Sequence, residues 1–360
     1  MPQRHTCVGS MSERKIGMAV VGVGNWGRNH VRVIKGLGEA ELKAICDKDE
    51  QRANEISRKY KVKPYYDVED LLEEETGVEA VCVCTSPASL AEVAKKVLES
   101  GRHALVEKPM AIKPEDAFDL IKIAKERNLV LAVGFIERFI PSVNRLRCLV
   151  SENKLGNVAL LSFRKVSSRP HRRNNVGVVK DLAIHDVDLS RYILNAIPET
   201  VYARAHYIHE PGDGIEDYAL ITLSFPGGRT AHIEVGWLPV VKTRRLRVVG
   251  DKRVLVMDLI SQKIRIDEYE REEDECFPSE AWAVHRRRSI FPTSWEEPLK
   301  LELRHFIECV REGREPRASG VDGYIALSIC ELALKSARTG KAISIRERLG
   351  DRLRELGVST

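Results

Sequence analysis

The chain has 360 residues, 43% of them apolar, with 58 Lys and Arg against 53 Asp and Glu and a formal net charge of +5. That length exceeds one ordinary domain and suits two, and the apolar content excludes wholesale disorder. So small a basic excess does not argue for nucleic acid, and no apolar run reaches the ~20 residues that span a bilayer, so neither a nucleic-acid nor a membrane partner is expected.

Residues 1–14 read as a disordered leader. Met1 to Ser10 lack the apolar core of a signal peptide, and Met11 stands just before the first strand-like run. From there to Gly134, apolar runs alternate with amphipathic stretches. Strands are expected at Gly17–Val23, Leu42–Asp47, Ala80–Thr85, His103–Val106 and Val130–Gly134. Helices are expected at Gly27–Gly36, Gln51–Tyr60, Asp67–Glu73, Ser89–Glu99 and Pro114–Arg127. This alternation predicts an α/β fold, with a doubly wound parallel sheet over residues 15–134. Ligands bind such a sheet outside the C-terminal ends of its strands.

Residues 135–360 form a second unit dominated by strand patterns: Val158–Ser167, Thr200–Tyr207, Asp217–Phe225, Arg229–Trp237, Arg244–Gly250, Val254–Asp258 and Lys263–Tyr269. They predict an open, largely antiparallel sheet in an α+β arrangement. Helices are expected at Gly177–Leu194, Pro298–Glu312 and Val321–Thr339, and the acidic stretch Arg271–Val284 as an irregular surface loop.

Eight cysteines are scattered along the chain. Those inside apolar runs read as buried free thiols, and the chain as a cytoplasmic protein. Cys82-x-Cys84 has no second pair nearby, and no metal site is expected.

The chemistry begins at Gly22-Val-Gly24-Asn25-Trp26-Gly27. An apolar run precedes it, a helix pattern follows, and a second apolar run ends in Asp47, about twenty residues after Gly27. This is the layout of a dinucleotide-binding unit. Gly22 permits the turn, Gly24 lets a pyrophosphate approach the backbone, and Gly27 lets helix and strand pack closely. The helix N-terminus faces the phosphates. Asp47 accepts from a ribose diol and repels a 2′-phosphate, which favours NAD over NADP.

Glu107-Lys108-Pro109 follows the run ending at Val106, which places Lys108 at a strand tip on the edge of the glycine loop. Asp181 and His185 are four apart, on one face of a helix. A histidine titrates near working pH, as a general base needs. Asp181 could orient the imidazole or hold a substrate hydroxyl, and the same spacing suits a capped helix with a core histidine. The basic residues Arg164, Lys165, Arg169, Arg172 and Arg173 precede that helix. They form either a solvated face or a grip on an anionic substrate.

The chain resembles the glucose–fructose oxidoreductase, inositol dehydrogenase and rhizopine-catabolism (Gfo/Idh/MocA) oxidoreductases from about Lys15 to Ile345. The resemblance rests on Gly22-x-Gly24-Asn-Trp-Gly27-x-x-His30, Glu107-Lys108-Pro109, Gly134-Phe-Ile-Glu137-Arg138-Phe139-x-Pro141 and Asp181-x-x-x-His185. Many members carry a histidine where Ala91 or Phe135 stands here. The resemblance implies an N-terminal Rossmann domain and a C-terminal substrate domain whose sheet builds homo-oligomers. It also implies Lys108 and His185 beside the nicotinamide, with Asp181, and a cofactor site that takes in Asn25, Trp26, Thr85, Pro87 and Glu107. The stretches Val176-Gly-Val-x-x-Asp181-Leu-Ala-x-His185-Asp186-x-Asp188 and Glu297-Pro298-Leu299-Lys300-x-Glu302-Leu303 are similar to the UDP-N-acetylglucosamine 3-dehydrogenase group. The expected activity is NAD-dependent oxidation of a sugar hydroxyl to a ketone, at carbon 3 of a UDP-N-acetyl amino sugar. The alternatives are a free sugar, inositol or imine as substrate, or a nucleotide-binding sensor without turnover. In the nucleotide-sugar reading Arg164, Arg169 and Arg172 contact the phosphates.

Overall fold

A computed structural model describes residues 14–169, 176–209, 212, 214–238, 240–273, 281–292 and 295–358. The first strand, β1 (Ile16–Val21), is buried at every position, as a central parallel strand covered on both faces must be. It pairs on one side with β2 (Ala40–Cys46), and β2 with β3 (Lys63–Tyr65). On its other side lie β4 (Ala80–Val83), β5 (His103–Val106) and β6 (Leu131–Val133), giving the parallel order β3-β2-β1-β4-β5-β6. The order reverses between β1 and β4, which opens a crevice above their C-terminal ends.

Helices α1 (Gly27–Lys35), α2 (Glu50–Tyr60), α3 (Val68–Glu74), α4 (Pro87–Glu99) and α5 (Pro114–Glu126) make the crossovers. Gly22 has φ +86°, and a Cβ there would meet the Cys84 carbonyl and the Thr85 nitrogen at 2.7 Å. A Cβ at Gly27 would meet the Gly22 carbonyl oxygen at 1.8 Å. Both positions therefore exclude any side chain.

Next come α6 (Pro141–Ser151), β7 (Val158–Ser167) and α7 (Ile184–Leu194). The helix expected over Gly177–Leu194 is not uniform: Val179–Ala183 forms a single wide π-type turn that leads into α7. The second sheet is completed by β8 (Thr200–His206), β9 (Tyr218–Ser224), β10 (Thr230–Trp237), β11 (Thr243–Gly250), β12 (Arg253–Asp258), β13 (Ile264–Glu273), β14 (Ala281–Ile290) and β15 (Ile343–Ser344). Its order is β14-β13-β12-β11-β7-β10-β9-β8-β15, antiparallel throughout except for β7 with β10. The expected loop at Arg271–Val284 is corrected at both ends. Glu273 pairs with Ala281, so the strands of one hairpin continue into it, and residues 274–280 lie outside the described set. Acidic side chains facing basic ones across the hairpin (Asp267 opposite Arg287, Glu268 opposite Arg286) stabilise strands whose sequence lacks an apolar alternation.

Strand parity sorts this sheet into two faces. Leu161, Phe163 and Lys165 on β7, Ile233 and Val235 on β10, and Leu246 and Val248 on β11 all point inward and are buried. They meet α7 and α9 (Gly320–Thr339); α10 (Ile345–Glu355) closes the chain. The other face carries Arg164, Glu234, Arg245 and Arg247. Helix α8 (Pro298–Glu312) lies far along the chain, yet it covers one face of the first sheet. Its Leu299, Leu303, Phe306 and Ile307 share a core with Ile16, Met18, Val20 and Leu105. Burying each such side chain contributes about 1.5–3 kcal/mol. Among the described residues, no helix is long and apolar enough to cross a membrane.

Candidate active site

A cleft of about 380 Å³ opens where the strand tips of the first sheet face the second unit. Its walls include Trp26, Thr85, Pro87, Glu107, Lys108, Glu137, Asp181, His185 and Arg244. Gly22, Asp47, Cys84, Glu107 and Gly134 each follow the end of a parallel strand, so the topology gathers them along one edge.

The glycine loop presents an anion-ready surface. No side chain caps α1, and a Cβ at Gly24 would meet nothing within 4 Å, so the backbone there is open to a large group. Asn25 is exposed, and its carbonyl accepts from Asn29 Nδ2 at 3.1 Å. The Asp47 carboxylate accepts from the Val23 N–H and the Asp49 N–H, each at 2.9 Å, and pairs with Arg52 at 3.2 Å. Thr85 Oγ1 is buried at the cleft with no partner among the described residues. An open backbone, an uncapped helix start and an orphaned hydroxyl fit a dinucleotide better than a self-satisfied turn.

Glu107 is held from two sides. Trp26 Nε1 donates to its Oε1, and His30 Nε2 lies 2.9 Å from the same oxygen. A Cβ at Gly134 would come within 3.0 Å of this carboxylate, so the glycine makes room for it. The adjacent Lys108 reaches across to the π-type turn. Its Nζ donates to the Asp181 carbonyl at 2.7 Å and to Asp181 Oδ1 at 2.9 Å. An ammonium has three N–H groups, so one stays available to the cleft.

His185 sits beside them, nearly buried, with Phe135 edge-on to its ring. Burial lowers its pKa well below the usual histidine value; Lys108, Lys165 and Arg244 add to this, and Glu137 opposes it. The imidazole is therefore neutral at pH 7 and free to accept a proton. Under it, Lys165 Nζ contacts Glu137 at 2.9 Å and Asp186 at 2.8 Å, and Arg244 contacts Glu137 at 3.1 Å. Burial raises the Asp186 pKa, an effect that Lys165 offsets in part. Burial also opposes ionisation of Glu137, but the Lys165 and Arg244 cations beside it hold its pKa below the carboxylate range. Arg138 anchors the neighbouring backbone by pairing with Asp188 and Asp322.

The structure thus brings Lys108, Asp181 and His185 to one cleft. It does not bring Arg164 there. Arg164 pairs with Glu234 on the opposite face of the sheet, because adjacent strand residues point to opposite sides. Lys165 is buried between two acids and is not open to a phosphate. Arg169 follows β7 without lining the cleft, and Arg172 and Arg173 lie outside the described residues. The arginine of the cleft is Arg244, which the sequence reading missed. Its parity with Leu246 and Val248 was the available signal, since a residue two before a buried strand position shares its face.

Residues 16–135 match the profile described as oxidoreductase family, NAD-binding Rossmann fold, and residues 147–345 match that of the family's C-terminal alpha/beta domain. A myo-inositol 2-dehydrogenase from Thermotoga maritima is 28% identical over 92% of this chain and 99% of its own length. A UDP-N-acetylglucosamine 3-dehydrogenase from Acidithiobacillus ferrooxidans is 29% identical over 69% of this chain and 75% of its own. A solved structure of that 3-dehydrogenase superposes with a TM-score of 0.79 at 24% identity, covering 91% of this chain and 98% of the other. On its two matched domains, its strand order and its glycine loop, the chain belongs to the Gfo/Idh/MocA family of oxidoreductases and takes NAD as its cofactor.

Proposed function

We propose that this chain is an NAD-dependent dehydrogenase that oxidises a secondary hydroxyl of an anionic, nucleotide-linked sugar, with carbon 3 of a UDP-N-acetyl amino sugar as the leading substrate. The observation that carries this reading is the convergence of Lys108, Asp181, His185 and Arg244 on one cleft. When bound, NAD takes up the hydride; the protein supplies alignment and charge. His185, held neutral, accepts the hydroxyl proton. Lys108 uses its remaining N–H to stabilise negative charge developing on that oxygen, while Asp181 fixes the ammonium in place. Gly22, Gly24, Asn25, Trp26 and Gly27 cradle the cofactor phosphates, with Thr85, Pro87 and Glu107 along the same wall. Thiols on the described chain are unpaired, which accords with the reducing cytoplasm. The uncovered face of the second sheet, with Tyr202 and Leu220 on it, supports assembly of identical subunits.

Arg244 is the group suited to the substrate's anion. Among the described residues its guanidinium pairs with Glu137, and a guanidinium carries five donors. Arg244→Ala is expected to lower kcat/KM for the UDP-linked sugar by roughly 10–150-fold, the worth of about 1.5–3 kcal/mol for one charge-assisted contact, with KM changing more than kcat. Steady-state assays of the UDP-sugar and the free sugar check this. A specific observation keeps a second reading: the relative named as an inositol dehydrogenase matches across nearly its whole length. If inositol or a free sugar is turned over faster than the conjugate, and Arg244→Ala leaves that rate unchanged, the free-polyol reading replaces the first.

Asp47 sets cofactor choice in this proposal. Its carboxylate is fixed at the tip of β2, where a 2′-phosphate would lie. Repulsion at a few ångströms is worth on the order of 1–4 kcal/mol, reduced here by Arg52. NAD should bind more tightly than NADP, and Asp47→Ser should narrow the gap by releasing Arg52 to a phosphate. Calorimetric titration of both cofactors decides it; tighter NADP binding by the native chain would refute the role.

A further inference from the structure

Beneath the cleft, three side chains from separate elements converge. His30 comes from α1, Cys84 from the turn after β4, and Glu107 from the turn after β5. One donor atom of each lies within 4.8 Å of the others. An imidazole nitrogen, a sulfur and a carboxylate oxygen are the donor types that zinc takes, at about 2.0–2.3 Å. Tetrahedral bonds of that length place neighbouring donors roughly 3.3–3.7 Å apart, so closing this group around an ion takes side-chain shifts of about 1 Å.

A second, independent observation lies on α8. Glu302 is 2% exposed, and neither carboxyl oxygen has a partner among the described residues. It is not one of the three close donors, but its charge bears on Glu107, Cys82 and Cys84 across the intervening core. A buried carboxyl without a partner costs about 1–3 kcal/mol or more, and native proteins rarely leave one so. A divalent cation held by Glu107 would give Glu302 the partner it lacks. The remaining buried nitrogen of His30, Nδ1, is also without a partner among the described residues.

We propose that His30, Cys84 and Glu107, completed by Glu302, form a binding site for a borderline-soft divalent cation of the zinc type at the floor of the cleft. On binding, the Cys84 sulfur forms the metal–sulfur bond and its proton leaves to solvent, with no change of oxidation state. Glu107 is drawn towards the metal and away from the Trp26 indole, which stands at the cleft wall. Occupancy of the metal site and of the cofactor site are then coupled, and the coupling is reciprocal: NAD weakens the metal as much as the metal weakens NAD.

The test uses the full chain, stripped of metal, with no substrate, so its result does not depend on the proposed dehydrogenase activity. Cobalt(II) serves as the probe because thiolate ligation gives it a near-ultraviolet charge-transfer band. The expected result is a band that saturates at one equivalent, is displaced by zinc, and is lost in Cys84→Ser. Glu302→Gln keeps the side chain's size and should weaken cobalt binding at least tenfold, with an unchanged circular dichroism spectrum. Saturating NAD should weaken it as well. Absence of the band in the native chain, or a band that survives Cys84→Ser, overturns the site. Unchanged affinity in Glu302→Gln removes Glu302 from it.

Discussion

Replacing Lys108 by Met, or His185 by Ala, is expected to lower turnover roughly 10²–10⁴-fold, the range for loss of a positioned acid–base group. Both side chains line the cleft, but neither belongs to the glycine loop, so NAD affinity should stay within several-fold. The two changes should act differently on pH dependence. In the native chain, burial and then the neighbouring cations hold the His185 pKa well below the ordinary histidine value. Oxidation should therefore remain flat as pH falls through about 6.5, where an unperturbed histidine would already be gaining its proton. The rate should drop only at lower pH. In His185→Ala that acid limb should vanish along with most of the rate. Steady-state rates over pH 5–9 with cofactor saturating, together with NAD titrations of each variant, supply the check. Near-normal turnover in both variants, or an acid limb centred on the ordinary histidine value, would remove these residues from the roles given to them.

The second large effect is on stability. Lys165→Met should destabilise the fold by about 3–5 kcal/mol, the cost of breaking a buried ion pair by removing one partner. Lys165 bridges Glu137 and Asp186, and all three are buried. Without the ammonium, Glu137 keeps only Arg244, and Asp186 faces a low-dielectric core with only the more distant Arg244 to offset its charge. Neutralising the acids as well, in Lys165→Met/Glu137→Gln/Asp186→Asn, should recover much of the loss, because the cost lies in the orphaned charges and not in the missing lysine itself. Urea midpoints compared across the single and triple variants report this. A single variant as stable as the native chain would mean that water already compensates the two acids. Whatever folded Lys165→Met remains offers a second readout. Lys165 is one of the cations that hold His185 neutral, so its removal should move the acid limb of the activity profile to higher pH.

Much of the first domain was legible in the chain itself. Parallel strands buried on both faces read as continuous apolar runs, and β5 and α1 begin where their patterns begin. The glycine loop was equally plain, since the backbone at Gly22 and Gly27 admits no side chain. Lys108 could be placed at a strand tip because connectivity alone sends parallel strands to a common edge. The Asp181–His185 spacing survived a change of helix type, since the wide turn at Val179–Ala183 still lets both residues line the cleft.

What sequence could not decide were the matters settled by contacts across long separations. A basic run such as Arg164 to Arg173 looks like one patch, but β7 turns its adjacent residues Arg164 and Lys165 to opposite faces, and packing buries Lys165 while leaving Arg164 outside. The first part of β13 is legible as the strand Lys263–Tyr269, but its continuation and its partner β14 are not; charge pairs between the strands hold them, and these exist only once register is set. The match of α8 to the first sheet joins Phe306 to Met18 across most of the chain, and it is this packing that buries Glu302. Local propensity and spacing determine which elements form and which edge they share. Burial and charge compensation between distant elements determine which of their polar side chains face the cleft, and those energies are defined only in the folded chain.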